Sequence, residues 1–225
     1  MPSPDQHEDI WSRAVTVNGF RVDEIRSVLQ KSIRRGLVEE AVLAAWELFE
    51  TGPQTEELLW RRLEIIAVED VGMGLPEAPM LLAAMNDQRI RQTVDIERFM
   101  YSVHAVRLLA AAKKDRTTME LAFWAKTVTE RGERRVEVKD MHVDHHTRRG
   151  VRMGRDQRFW WAAGGYRLEN QLDPAGSPWS QYVREAMGAP AEPDEPAAAP
   201  ATETKPQAPP ADLSTDDVLT EMSER

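Results

Sequence analysis

The chain has 225 residues, of which 41% are hydrophobic and 30% charged, a composition typical of a globular protein with many surface helices. It contains no cysteine, which excludes disulfide scaffolds, thiolate nucleophiles and Cys-ligated zinc or iron–sulfur sites. Neither a secretory signal nor an apolar run of membrane-spanning length is visible, so we expect a cytoplasmic protein without a membrane partner.

Hydrophobic periodicity predicts an all-α fold, with a bundle of antiparallel helices over residues 9–131. The first predicted helix ends at Gly36 and the second at Gly52-Pro53. Thr55 is the predicted N-cap of the third helix, which should run to Gly72. A fourth predicted helix begins at Pro76. Two more are predicted, one over Asp95–Lys114 and one over Thr117–Thr129.

The net charge of −9 is unevenly distributed beyond this bundle. Residues 132–188 form a predicted basic extension that contains tryptophan and glycine. Residues 189–225 carry nine acidic and two basic side chains among many prolines and alanines, which predicts a disordered tail. Apolar residues recur at near-helical spacing within residues 213–223, so this segment is either a short docking helix or a frayed terminus.

Sequence motifs for nucleotide or acyl chemistry are missing from the chain. There is no G-x-x-x-x-G-K-[ST] phosphate loop, no G-x-S-x-G elbow and no His-Glu-x-x-His pair. Gly72-Met73-Gly74 is followed by Leu75-Pro76 and not by a lysine, so it is interpreted as a helix stop. We therefore expect a protein that is not an enzyme and needs no cofactor.

Several stretches of the bundle resemble the C-terminal helical domain of the RarA/MgsA family, which are AAA+ ATPases related to clamp loaders and to the Werner-helicase-interacting protein. The resemblance covers roughly residues 31–124. It is carried by Lys31-Ser-Ile-Arg-Arg-Gly36, by the run from Glu40 to Leu48, by Leu59-Trp-Arg-Arg-Leu-Glu-Ile-Ile-Ala-Val-Glu-Asp-Val-Gly72, by Leu75-Pro-Glu-Ala and by Leu108-Leu-Ala-Ala-Ala-Lys-Lys-Asp-Arg116. The segment from Asp144 to Arg155 also resembles a tail found in some relatives of that domain.

This resemblance implies a collar domain that drives oligomerisation beside an ATPase acting at stalled or damaged replication forks. The ATPase half is missing here, so ATP hydrolysis is not implied. The leading hypothesis is a non-catalytic accessory protein of DNA replication or repair. It would act by forming a homo-oligomer or by binding an AAA+ ATPase, single-strand-binding protein or DNA. A purely structural subunit without nucleic-acid contact is a further alternative.

Charged residues within the most specific stretch are the candidate interface. Arg61 and Arg62 follow Trp60, and Glu69 and Asp70 lie two turns later. These charges either belong to a solvated face or form an ion network between helices or subunits. Arg62 and Glu69 are a possible i, i+7 pair.

The segment Asp140–His146 is the candidate site for an alternative, enzymatic function. If it is helical, His142 and His146 lie one turn apart as possible metal ligands, and Asp140 and Asp144 are spaced in the same way. This arrangement would suit a metal-dependent phosphohydrolase. The simpler interpretation is that Asp144 and Thr147 cap a helix while the histidines form local hydrogen bonds.

Five arginines after this segment are the candidate nucleic-acid site. Their spacing of three or four residues would place most of them on one face of a helix, where the forked guanidinium suits phosphate. The aromatic residues that follow could stack on unpaired bases or pack against the helical domain. The arginines are Arg148, Arg149, Arg152, Arg155 and Arg158, and the aromatic residues are Phe159, Trp160, Trp161 and Tyr166.

Overall fold

The computed structural model describes residues 10–162, 166, 168–172 and 176–188, and these residues form no strand and no sheet, so the predicted all-α fold is confirmed. The chain divides into two compact units, Met1–Arg135 and Val136–Arg225. The predicted disordered tail at 189–225, with its possible docking helix at 213–223, lies outside the described residues. No described helix combines the length and apolar character needed to cross a bilayer.

Six helices build the described part of the first unit. Helix α2 packs against α1, α3 and α5, while α4 packs mainly against α5. Leucines, isoleucines, alanines and the fully buried Trp60 fill the space between them. The helices are α1 (Val22–Arg35), α2 (Val38–Thr51), α3 (Pro53–Ile66), α4 (Ala78–Arg89), α5 (Asp95–Ala111) and α6 (Thr117–Glu130).

The helix ends agree with the predicted signals in most places. Gly36 has a φ of 74° and donates its backbone N–H to the end of α1, as expected of a left-handed C-cap. The predicted cap at Thr55 is wrong, because Pro53 is already the first residue of α3 and Gly52 precedes it. Thr55 is instead buried, and its hydroxyl donates to the Gly52 carbonyl.

A π-helical turn over Ala67–Val71 continues α3 as far as Gly72. Turns of this kind hold one more residue than an α-helical turn and are frequent at functional positions. Asp70 lies in this turn and is fully buried, although carboxylates are rarely buried without a partner. The turn therefore places a carboxylate in the interior of the first unit, where donors must match its charge.

Short helices with turns between them build the described part of the second unit. They are α7 (Arg148–Arg152), α8 (Gln157–Ala162) and α9 (Pro178–Ala186), preceded by a single 3-10 turn at Asp140–His142. Trp160, Trp161 and Tyr166 pack on one another in this unit, with ring centroids 4.9 to 6.1 Å apart. These half-buried rings form a small aromatic cluster, because aromatic pairs prefer tilted and edge-to-face contacts at such distances.

Candidate functional site

The carboxylate of Asp70 joins α1 to the π-helical turn. Arg34 donates to it with two nitrogens, Nε at 2.6 Å and Nη2 at 3.2 Å, and Gln30 Nε2 donates at 3.0 Å. This two-pronged contact raises the pKa of Arg34, chiefly through its hydrogen bond to Asp70. A buried carboxylate with a charged, forked donor and an amide donor is well compensated for its loss of water.

The backbone of Asp70 joins the same turn to the residues that lead into α6. The Asp115 N–H donates to the Asp70 carbonyl at 3.0 Å, and Arg116 Nε lies 3.7 Å from the Asp70 carboxylate. The Asp115 carboxylate accepts from the backbone N–H groups of Thr117 and Met73. The Thr117 hydroxyl and these N–H groups hold the pKa of Asp115 below its usual value, so this carboxylate stays ionised at the start of α6. We call Gln30, Arg34, Asp70, Asp115 and Arg116 the Asp70 junction.

Two glycines let the backbone after the π-helical turn lie close to the backbone of Lys113 and Asp115. A Cβ on Gly72, whose φ is 49°, would lie 2.6 Å from the Asp115 carbonyl oxygen. A Cβ on Gly74 would lie 2.2 Å from the carbonyl oxygen of Lys113. Lys114 then turns back, and its ammonium donates to three carbonyls at the end of α5. The Glu-Asp-Val-Gly and Lys-Lys-Asp-Arg stretches, which lie far apart in sequence, thus contact each other directly.

The predicted interface residues have three different environments. Trp60 and Asp70 are fully buried within the first unit, and Asp70 with Arg34 forms an ion pair between elements of this unit, which is one of the alternatives left open by the sequence. Glu69 pairs with Arg34 at 3.4 Å, and Arg62 donates to Gln30 at 3.3 Å. Arg61 is an exposed side chain that pairs with Glu57 one turn earlier on α3.

Helix α6 is not covered by the unit to which it belongs. It has no buried residue, and its main contact is with the π-helical turn. Leu121 and Trp124 are 56% and 47% exposed, and with Val128 they form one apolar stripe. An apolar stripe without a covering element is typical of a surface that binds another protein.

A groove of about 1090 Å³ lies between α4 and α5. Its apolar lining includes Leu81, Ile96 and Met100, all of them exposed. Glu97 and Arg107 lie on α5 near its two ends. This second apolar surface on α4 and α5 was not predicted, because helical periodicity marks only the inward-facing stripe of each helix.

The five candidate arginines do not share one helical face. Helix α7 ends at Arg152, and Gly154 with a φ of 72° turns the chain before α8 begins. Arg155 donates to Asp140 and to the Val143 carbonyl, and its guanidinium stacks on Phe159. Arg158 donates to the Gly188 carbonyl. Arg155 and Arg158 thus hold the second unit together, and the exposed arginines on α7 are Arg148, Arg149 and Arg152.

The candidate metal ligands are also arranged differently from the prediction. His142 lies in the 3-10 turn and accepts from the Lys139 N–H, so it does not share a helix with His146. Asp144, His145 and His146 are the residues whose possible ligand atoms lie within 4.8 Å of one another. Thr147 caps α7 by accepting from the Gly150 N–H. The sequence analysis missed His145, because helical spacing pairs His146 with His142.

The Asp70 junction gives a direct test of stability. In Asp70→Asn the shape is kept, but Arg34 keeps only its long contact with Glu69, Arg116 loses its nearby carboxylate, and the amide group faces other donors. We expect a loss of about 2–3 kcal/mol, seen as a thermal midpoint lower by roughly 10 °C. Glu69→Gln is the matched control, because this half-exposed side chain makes one long contact, and its change should stay within about 0.5 kcal/mol. Equal thermal midpoints for the two variants would show that the Asp70 carboxylate adds no more to the free energy of unfolding than the Glu69 carboxylate does.

Comparison with protein-family models and with curated proteins finds no match to this chain. The family resemblance therefore depends on the residues quoted above.

Proposed function

We propose that this chain is a non-catalytic assembly subunit that binds copies of itself through α6, in the manner of the collar domain that it resembles. In this role it would work beside an AAA+ ATPase in DNA replication or repair. The observation that carries the proposal is a 14-residue helix with no buried residue, fixed to the rest of its unit by the Asp70 junction. The proposal assigns no catalytic residue and no cofactor to the chain.

The groove between α4 and α5 is the complementary surface on the next copy. At 1.5 Å per residue, the stretch of α5 from Ile96 to Arg107 is about 16 Å long, and the apolar stripe of α6 from Leu121 to Val128 is about 10 Å long, so the groove is long enough to hold it. Helices that bind proteins commonly lay an apolar stripe into such a groove. A groove and a helix on different parts of one molecule give a head-to-tail contact, which forms a ring when its rotation closes. A ring is the architecture expected of a collar.

Charge sets the direction in which the helix would lie. Glu120 is near the start of α6, one turn before Trp124 and at the edge of the apolar stripe, whereas Lys126 lies on the opposite face. If α6 runs antiparallel to α5 with its stripe in the groove, Glu120 approaches Arg107. The opposite direction would bring Glu120 toward Glu97, a like charge, which costs free energy and disfavours it.

Complementation between two variants tests this arrangement. Leu121→Glu places a charge on the helix, and Met100→Glu places one in the groove; both side chains are exposed, so neither change should unfold the unit. Each variant alone should be monomeric in light scattering over a concentration series in which the wild type associates. A mixture should form a one-to-one dimer, because one intact helix still meets one intact groove.

Leu43→Glu is the matched control, since this leucine is 68% exposed on α2 and belongs neither to the lining of the groove nor to α6. It should associate like the wild type. A monomeric wild type would contradict self-association altogether. A mixture of the two variants that stays monomeric would contradict the head-to-tail contact and favour a symmetric one.

A second candidate function, nucleic-acid binding, is favoured by α7. Three of its five residues are exposed arginines, and the five residues include no acidic side chain. Arginine donates in pairs to phosphate oxygens, so this short helix is suited to a phosphate backbone. The half-buried aromatic cluster is largely occupied by contacts within its own unit, so we assign base stacking no part in this proposal.

Fluorescence anisotropy with labelled oligonucleotides tests the second candidate. If three arginines contact phosphates, the log–log salt slope for single strands should be about −2. Changing Arg148, Arg149 and Arg152 to glutamate should abolish binding without lowering the thermal midpoint of the first unit. The control, with Lys31, Arg35 and Arg91 changed to glutamate, alters the net charge equally and should still bind. Equal losses in both variants would indicate that net charge alone governs the interaction.

A further inference from the structure

The loop before α7 gathers three possible metal ligands. His146 Nδ1 lies 3.2 Å from both carboxylate oxygens of Asp144. In a tetrahedral zinc site with bonds of about 2.0–2.2 Å, neighbouring ligand atoms are about 3.3–3.5 Å apart. The separation of this pair is therefore close to that of two ligands that share an ion.

His145 supplies the third position. Its Nδ1 is buried and has no hydrogen-bond partner among the described residues, a rare state for a polar atom. Leaving such an atom without a partner costs about 1–3 kcal/mol. The ring of His145 lies beside that of His146, with centroids 3.9 Å apart. An ion held by His146 and Asp144 would be within reach of this ring.

The loop is held in shape by contacts that do not involve the two histidine rings. The Thr147 hydroxyl donates to the Asp144 carbonyl at 2.9 Å and accepts from the Gly150 N–H at 3.0 Å. Gly150 packs so closely that a Cβ there would lie 1.8 Å from the Asp144 carbonyl oxygen. The His146 backbone N–H donates to the Asp144 carboxylate at 2.9 Å. Little ordering is therefore needed when an ion binds.

We propose that Asp144, His145 and His146 bind a divalent ion of the late first-row metals, with zinc, cobalt and nickel as the candidates. Two imidazoles and one carboxylate favour these ions over magnesium and calcium, which prefer oxygen ligands. Solvent would complete the coordination. This site is independent of the assembly surface on α6, and a bound ion would hold the two imidazoles against Asp144 at the start of the arginine-bearing α7.

Calorimetric titration of the chelator-treated full chain with ZnCl₂ tests the proposal. One ion should bind per chain, and more weakly at pH 5 than at pH 7.5, because protons compete for the imidazoles. His145→Ala should weaken binding by at least about tenfold, a loss that even outer-shell changes can reach. His142→Ala is the matched control from the same segment, because it removes an exposed imidazole outside the cluster, and it should bind zinc like the wild type.

Trp160 gives a second readout, because its ring lies 6.5 Å from that of His146. Bound Co²⁺ should quench its fluorescence, and Trp160→Phe should remove this part of the quenching without changing the zinc stoichiometry. A wild type that takes up no zinc would overturn the proposal, and the close contact would then be an ordinary ion pair of Asp144 with protonated His146. Binding that survives His145→Ala, or that is lost in His142→Ala, would overturn it equally.

Discussion

The buried carboxylate of Asp70 is the contact on which the geometry of the first unit depends. A charge without water must be matched by donors, and here they come from α1 and from the residue before α6. The π-helical turn directs Asp70 toward these donors, while Gly72 and Gly74 let the backbones approach closely. Because α6 begins directly at this junction, the same contacts fix the position of an otherwise uncovered helix.

Much of this fold could be predicted from the sequence, because helices leave local signals. Apolar spacing and terminal glycines gave the extents of α1, α2, α5 and α6 to within a few residues. Thr55 shows the limit of such local signals, since a proline at the first helical position outweighed a good capping side chain. The π-helical turn was not predicted, because it depends on partners that lie 36 or more residues away.

The functional residues were harder to predict, for a physical reason that the second unit illustrates. The predicted histidine pair required a helix over residues 142–146, and the predicted arginine face required a second helical stretch over residues 148–158. The 3-10 turn and Gly154 interrupt the helical backbone in these stretches. Which side chains lie close together therefore depends on the turns and not on a helical period of 3.6 residues. Arg155 and Arg158 make hydrogen bonds within the second unit and do not share a face with the other arginines. His145, and not His142 as the spacing suggested, lies beside Asp144 and His146.

The central claim is that the Asp70 junction presents α6 as an association element. Hydrogen exchange of the backbone amides, measured over a series of protein concentrations, tests it most directly. If α6 of one copy covers the α4–α5 groove of another, amides in 117–130 and in 78–108 should become more protected together as the concentration rises. Association that leaves the exchange of both stretches unchanged would contradict the account.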